Sequence, residues 1–193
     1  MSHLTIAVAA LALIAATPNT TGTLTLRTGS RLWFDGTSTV RSWSCSADKI
    51  DAEIVSPEAA VPAAVLEGRK VPGTVQVDFP VEKLECKNGT MNEHMRKALK
   101  AKEFDHIRFT LTSYELVKNS SVAGTLQGSL TMSGQTHPIS VPVKFAAGEG
   151  ALRVTGAVPL NMTEWGIKPP TLMLGTMKVG PTVTVNFDLL LQP

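Results

Sequence analysis

No sign of charge dominates this chain. Its 18 Lys and Arg stand against 16 Asp and Glu, a formal net charge of +2, and no run of basic residues forms a stripe. Net charge therefore gives no argument for nucleic acid or an anionic membrane surface as a partner. Cysteine is nearly absent, with only Cys45 and Cys86, and neither sits in a C-x-x-C pair that would serve redox chemistry or zinc. His94, His106 and His137 are scattered without H-E-x-x-H or similar metal spacing. The stretch Gly36-Thr37-Ser38-Thr39 lacks the second glycine of a nucleophile elbow and leads into no helix, so its hydroxyls read as turn bonds. Met162, Met173 and Met177 offer thioethers to a soft metal in principle, but flexible methionine suits an adaptable apolar mouth better. No catalytic residue, metal or cofactor is expected.

Long apolar runs are missing as well, with one exception. Leu4–Ala16 is an uncharged apolar run of 13 residues followed by Thr17, Pro18 and Asn19. It is short for a bilayer span, which takes about 20 residues, and it suits the hydrophobic region of a secretory signal. Residues 1–22 are thus expected to be a signal peptide and linker, and 23–193 one soluble domain, periplasmic or secreted. In an exported chain an even cysteine count invites a Cys45–Cys86 disulfide; two buried free thiols are the alternative.

What the sequence does have is a two-residue rhythm. Leu152, Val154, Gly156, Val158, Leu160 and Met162 alternate with Arg153, Thr155, Ala157, Pro159 and Asn161; Val183, Val185, Phe187, Leu189 and Leu191 then do the same. Successive side chains on a strand face opposite ways, so each segment has one apolar and one mostly wettable face. The rhythm recurs at Leu32 and Phe34, at Val75, Val77 and Phe79, at Ile107, Phe109 and Leu111, at Leu126, Gly128 and Leu130, and at Ile139, Val141, Val143 and Phe145. Together these make about eight strands, with Pro80 marking a strand end. Ser56–Val71, rich in Ala and Pro, shows no clear period and reads as a loop. One helix stands out, with Thr90-Met91-Asn92-Glu93 as a capping box and an apolar stripe at Met91, Met95 and Leu99 that should lie on the sheet.

These segments predict an all-β, antiparallel fold of about eight strands with one short amphipathic helix; such strands close into a barrel or pack as a β-sandwich with the same alternation, and the mostly short connections favour an up-and-down order over Greek keys. Inside, Phe34, Phe79, Phe109, Phe145 and Phe187 share the inward face with Leu32, Val77, Leu111, Leu130 and Val158. Met95 on the helix, and Trp165 and Met173 on the long apolar loop Thr163–Val179, complete the set expected to touch an apolar ligand. The alternative is a core in which these side chains fill one another's space, leaving a protein-interaction domain that uses Trp33, Trp43 or the Ala/Pro stretch. An unpaired edge strand would also let two copies pair, so a homodimer is a further expectation.

Four segments in order resemble the YceI-like family and cover nearly the whole chain after the apolar run. Ser30–Trp43 (SRLWFDGTSTVRSW) is similar to its opening strand pair, and Met91–Ala101 followed by Ile107-Arg108-Phe109 to its helix and next strand. Gly128–Ile139 (GSLTMSGQTHPI) resembles its central hairpin, and Asn161–Pro170 with Gly175–Gly180 its closing loop. The resemblance implies an extended lipocalin-like barrel in the bacterial periplasm, holding a long isoprenoid lipid such as a quinone or polyprenyl chain, and a binding protein in place of a catalyst. The Ala/Pro stretch Ser56–Val71 departs from the family's more regular early region, which implies a differently shaped opening.

Overall fold

A computed structural model describes residues 22–58, 60–148 and 150–193. The apolar run Leu4–Ala16, and the signal peptide expected there, lie outside the described residues. The segments with two-residue rhythm all become antiparallel strands. Twelve strands are present among the described residues: β1 (Gly22–Leu26), β2 (Arg31–Ser38), β3 (Ser42–Ala47), β4 (Asp51–Ser56), β5 (Thr74–Pro80), β6 (Leu84–Glu85), β7 (His106–Lys118), β8 (Val122–Met132), β9 (Gln135–Gly148), β10 (Ala151–Asn161), β11 (Thr171–Leu172) and β12 (Met177–Gln192).

Eight of these close a ring in the order β1-β4-β5-β7-β8-β9-β10-β12, and β12 pairs back to β1 through Leu26 opposite Leu191. Of the four strands beyond the ring, β11 only pairs with β12, and the other three have one cause. The first hairpin is broken in the middle, so β1 and β2 both lie along one edge of β12 while β4 pairs with β1 and β3 with β2. The outer half, β2–β3–β6, extends from the ring as a flap. Closure leaves no free edge around the ring, the standard solution to the edge-strand problem.

Two helices cap the ring, where the sequence suggested one. α2 (Gly89–Ala98) is the amphipathic helix, but its cap is Asn88, whose side-chain oxygen accepts from the Met91 amide at 3.0 Å. The expected capping box at Thr90 and Glu93 therefore starts too late; asparagine caps at least as well as threonine, and it comes first. Buried Asn92 ties the helix down, accepting from the Cys86 amide at 2.7 Å and donating to Glu85 at 2.6 Å. The second helix, α1 (Val61–Leu66), lies within the stretch expected to be a loop. Val61, Ala64 and Val65 are buried at i, i+3 and i+4 spacing, and Pro62 sits in the first turn, where its missing N–H costs nothing. Six residues are too few for a period to show in the sequence.

The helices stand at opposite ends. Pro80 of β5 pairs with His106 of β7, just after α2, so the Thr74 end of β5, which follows α1, is the far one. At the α1 end, Tyr114 Oη donates to the Val71 carbonyl at 2.7 Å and accepts from the Val71 amide at 2.6 Å, fixing the segment that leaves the helix. The α2 end also carries the β2–β3 turn, the Ser133-Gly134 turn and the loop following β10. Cys45 and Cys86 form the disulfide, which joins β3 to the segment entering α2.

Candidate ligand-binding cavity

The inward rows do not fill the barrel. They enclose an elongated apolar cavity of about 630 Å³ running from α1 to α2. Its wall includes Leu32 and Phe34 of β2, Val77 and Phe79 of β5, Phe109 and Leu111 of β7, Leu130 of β8, Phe145 of β9, Val158 of β10 and Phe187 of β12, with Met95 facing it from α2. All five phenylalanines assigned inward by alternation are there. Alternation sufficed because the strands are regular; even the bulge in β7 at Thr112 leaves Phe109 and Leu111 on the lumen side.

Why the interior stays open is a matter of where the rings lie. Three wall glycines sit beneath aromatic rings. A β-carbon at Gly156 would come within 2.4 Å of Phe187, its direct cross-strand partner, and one at Gly128 within 2.4 Å of Phe109. At Gly36 it would meet Trp43, again the direct partner, at 2.2 Å. Each ring folds flat over a glycine on the neighbouring strand, where a larger residue would prop it toward the axis. Trp43 is held there by its Nε1–H, which donates to the Thr37 carbonyl at 3.2 Å, and by an edge-on contact with Phe34.

Trp165, one of the two loop residues expected at the site, is not on the wall. Trp165 is 1 % exposed, packed edge-on to His137, with its Nε1–H donating to the Leu130 carbonyl at 3.1 Å. It packs at the α2 end of the β8–β9 pair, where His137 is the cross-strand partner of Leu130, and Met162 and Ile167, buried close to it in sequence, reach the lumen. The Met173 side chain lies outside the described residues. From the same loop it is Pro170, Met177 and Val179 that line the opening.

The two ends differ chemically. Val61, Val65 and Val71 close the α1 end, where the hydroxyls of Ser56 and Tyr114 are taken up by the Pro72 and Val71 carbonyls. At the α2 end the wall becomes polar, with Ser38 and Arg41 from the β2–β3 turn, Asn88 and Thr90 at the start of α2, and His94 one turn along. His94 is half-buried and faces the cavity. None of this rim is legible in the sequence, since it is assembled from a turn and a helix start that are distant along the chain.

The carboxylates with displaced titration sit away from the lumen. A hydrogen-bonded Arg153 guanidinium, aided by Arg31 and opposed by burial, holds Asp188 below the usual carboxylate range. For Asp78, burial works upward, and hydrogen bonds from His106 and Arg108 outweigh it, so its carboxyl is also lowered. Asp188 and Asp78 lie on the outward rows of β12 and β5. Among the described residues, no three His, Cys, Asp or Glu side chains gather as metal ligands.

The same barrel recurs in solved structures. Burkholderia cenocepacia BcnA superposes with a TM-score of 0.66 at 16% identity, covering 83% of this chain and 95% of its own. A Campylobacter jejuni YCEI protein gives 0.60 at 16% identity, covering 77% and 84%. A polyisoprenoid binding domain from Saccharophagus degradans, implicated in plant cell wall breakdown, gives 0.63 at 13% identity, covering 88% and 97%. At these identities the likeness is one of fold. No curated protein matches the sequence. The family model for the YceI-like domain, however, matches residues 24–191, from the first strand of the ring to the last, and the chain belongs to that family.

Proposed function

We propose that this protein binds a long apolar lipid of isoprenoid type, a quinone or polyprenyl chain, in the barrel lumen, and works outside the cytoplasm. The observation that carries the reading is the unfilled cavity, about 630 Å³ with an almost wholly apolar wall. Each methylene buried there contributes roughly 0.8 kcal/mol, so about ten reach the micromolar range before ordering costs. The Saccharophagus degradans neighbour, a polyisoprenoid binding domain, supports the ligand class. The Cys45–Cys86 disulfide supports an oxidising compartment. The polar rim at the α2 end orients the cargo, with the hydrocarbon toward α1 and any head group beside Arg41 and His94.

The test is mass spectrometry of organic extracts from gently purified protein made in its native host. A stoichiometric isoprenoid supports the reading and names the cargo. Protein that yields no lipid, and instead purifies with a stable protein partner, overturns it in favour of an interaction domain.

A further inference from the structure

We propose that the α2 end of the barrel docks on the surface of an anionic lipid bilayer through two joined tips, the β2–β3 turn at Thr39–Arg41 and the turn at Leu174–Thr176. Three large hydrophobic side chains stand exposed among the described residues: Val40 at 68%, Val117 at 57% and Leu174 at 107%. Val117 lies at the far end of β7, whereas Val40 and Leu174 crown these two tips. The tips are bonded to each other. The Thr39 amide donates to the Lys178 carbonyl at 3.0 Å, the Lys178 amide to Thr39 Oγ1 at 3.2 Å, and Thr39 Oγ1 to the Thr176 carbonyl at 3.1 Å. They therefore present their apolar residues as one unit. Leu174 has φ 54° and is followed by Gly175 at φ 94°, a left-handed turn that points the leucine into water.

Net charge is nearly balanced over the chain, but not here. The segments 36–47 and 165–187, which build both tips, contain Arg41, Lys168 and Lys178 and no Asp or Glu. Around them Lys87, before α2, and Lys97, on α2, are offset by Glu93 of α2 and by Glu164, so the excess rests on the three cations of the tips. Two apolar side chains on segments that carry three cations and no carboxylate match a bilayer interface, where shallow insertion and attraction to anionic head groups act together. Arg41, Met177, Val179 and Pro170 line the cavity directly beneath the tips. A docked barrel thus has its opening against the membrane, and hydrocarbon passes between them without crossing water. That passage rests on the lipid-binding reading; the docking itself does not.

The experiment is vesicle co-sedimentation of the full chain with phosphatidylglycerol–phosphatidylcholine vesicles at low and high salt, beside equilibrium binding of an isoprenoid alcohol without vesicles. All variants share residues 1–21, so differences between them isolate the tips. Val40→Ser with Leu174→Ser is expected to lower partitioning at least tenfold. Lys168→Gln and Lys178→Gln are each expected to lower it about fivefold, with the loss disappearing at high salt. Isoprenoid binding by Val40→Ser/Leu174→Ser should stay at the wild-type level. Wild-type-like partitioning of that double variant overturns the proposal, as does equal binding to phosphatidylcholine alone, or a vesicle-independent dimer that the double variant abolishes. Wild-type protein that partitions but takes up no isoprenoid leaves the docking surface standing and removes the cargo reading; loaded protein that ignores vesicles does the reverse.

Discussion

Replacing Gly156 with alanine puts a methyl carbon 2.4 Å from Phe187 Cζ and 2.6 Å from the Pro142 carbonyl oxygen. The carbonyl belongs to the sheet backbone and moves little, so the ring must leave the wall. The neighbouring wall positions are occupied, and the free volume lies toward the axis. Overpacking of this kind costs about 1–3 kcal/mol, which for a domain of this size lowers Tm by about 2–4 °C per kcal/mol. The effect on cargo is separate. A phenyl edge in the lumen displaces two or three methylenes of a bound chain, about 2 kcal/mol, or roughly 30-fold in affinity. The assay is titration of a short isoprenoid alcohol followed by tryptophan fluorescence, since Trp43 itself lines the cavity. Adding Phe187→Leu removes the displaced ring and should restore binding to within about threefold while recovering part of the stability. If Gly156→Ala loses stability but binds as before, or if Phe187→Leu fails to rescue, then the glycine–ring pairs do not keep the lumen open.

Phe109→Glu places a carboxylate in the middle of the apolar wall, where desolvation opposes its charge; isoprenoid binding should fall at least 100-fold near neutral pH, and a near-native affinity would sink the luminal site. Asp188 accepts from Arg153 at 2.7 and 2.6 Å and from Arg31 at 3.3 Å, and its folded pKa is lowered. Its stabilisation is fully present above the unfolded value of about 3.9 and is lost as pH falls through the folded value. Urea titrations of wild type and Asp188→Asn should therefore differ fully at neutral pH and converge below about pH 4; a gap that persists undiminished in strong acid would refute the ion-pair account. The Cys45–Cys86 bridge spans 41 residues, and the chain-entropy model assigns it about 4 kcal/mol. Cys45→Ala/Cys86→Ala should lose most of that in urea unfolding, and a loss under about 1 kcal/mol would show that the flap is held by packing alone.

Most of the wall is legible in the sequence, because strand alternation is a local property. Phe109 and Leu111 face one way and Arg108 and Thr110 the other whatever the barrel's size. The misses have equally physical causes. Trp165 was expected at the ligand because an apolar loop must hide somewhere; it is spent instead on His137 and the Leu130 carbonyl at the α2 end, and only a three-dimensional neighbour could reveal that. α1 carried its buried i, i+3, i+4 triplet in plain view, but over six residues that pattern competes with any loop rich in Ala and Val. Asn88 took the cap from Thr90 through a small offset in the helix start, the usual scale of error for a boundary.

By itself, then, the sequence determined that this chain forms amphipathic strands with a shared apolar face, one capped amphipathic helix and a pair of cysteines free to join. Those are consequences of periodicity and local hydrogen bonding, which act over a few residues. Tertiary structure decided three other things. It split the first hairpin into ring and flap, so that β12 carries both β1 and β2 on one edge. It gathered Ser38, Arg41, Thr90 and His94 into one polar rim. And it kept side chains from filling the lumen, because Phe109, Phe187 and Trp43 find glycines to lie on across the sheet. Whether a ring fills a core or lines a cavity depends on what stands opposite it, and no residue carries that information about itself.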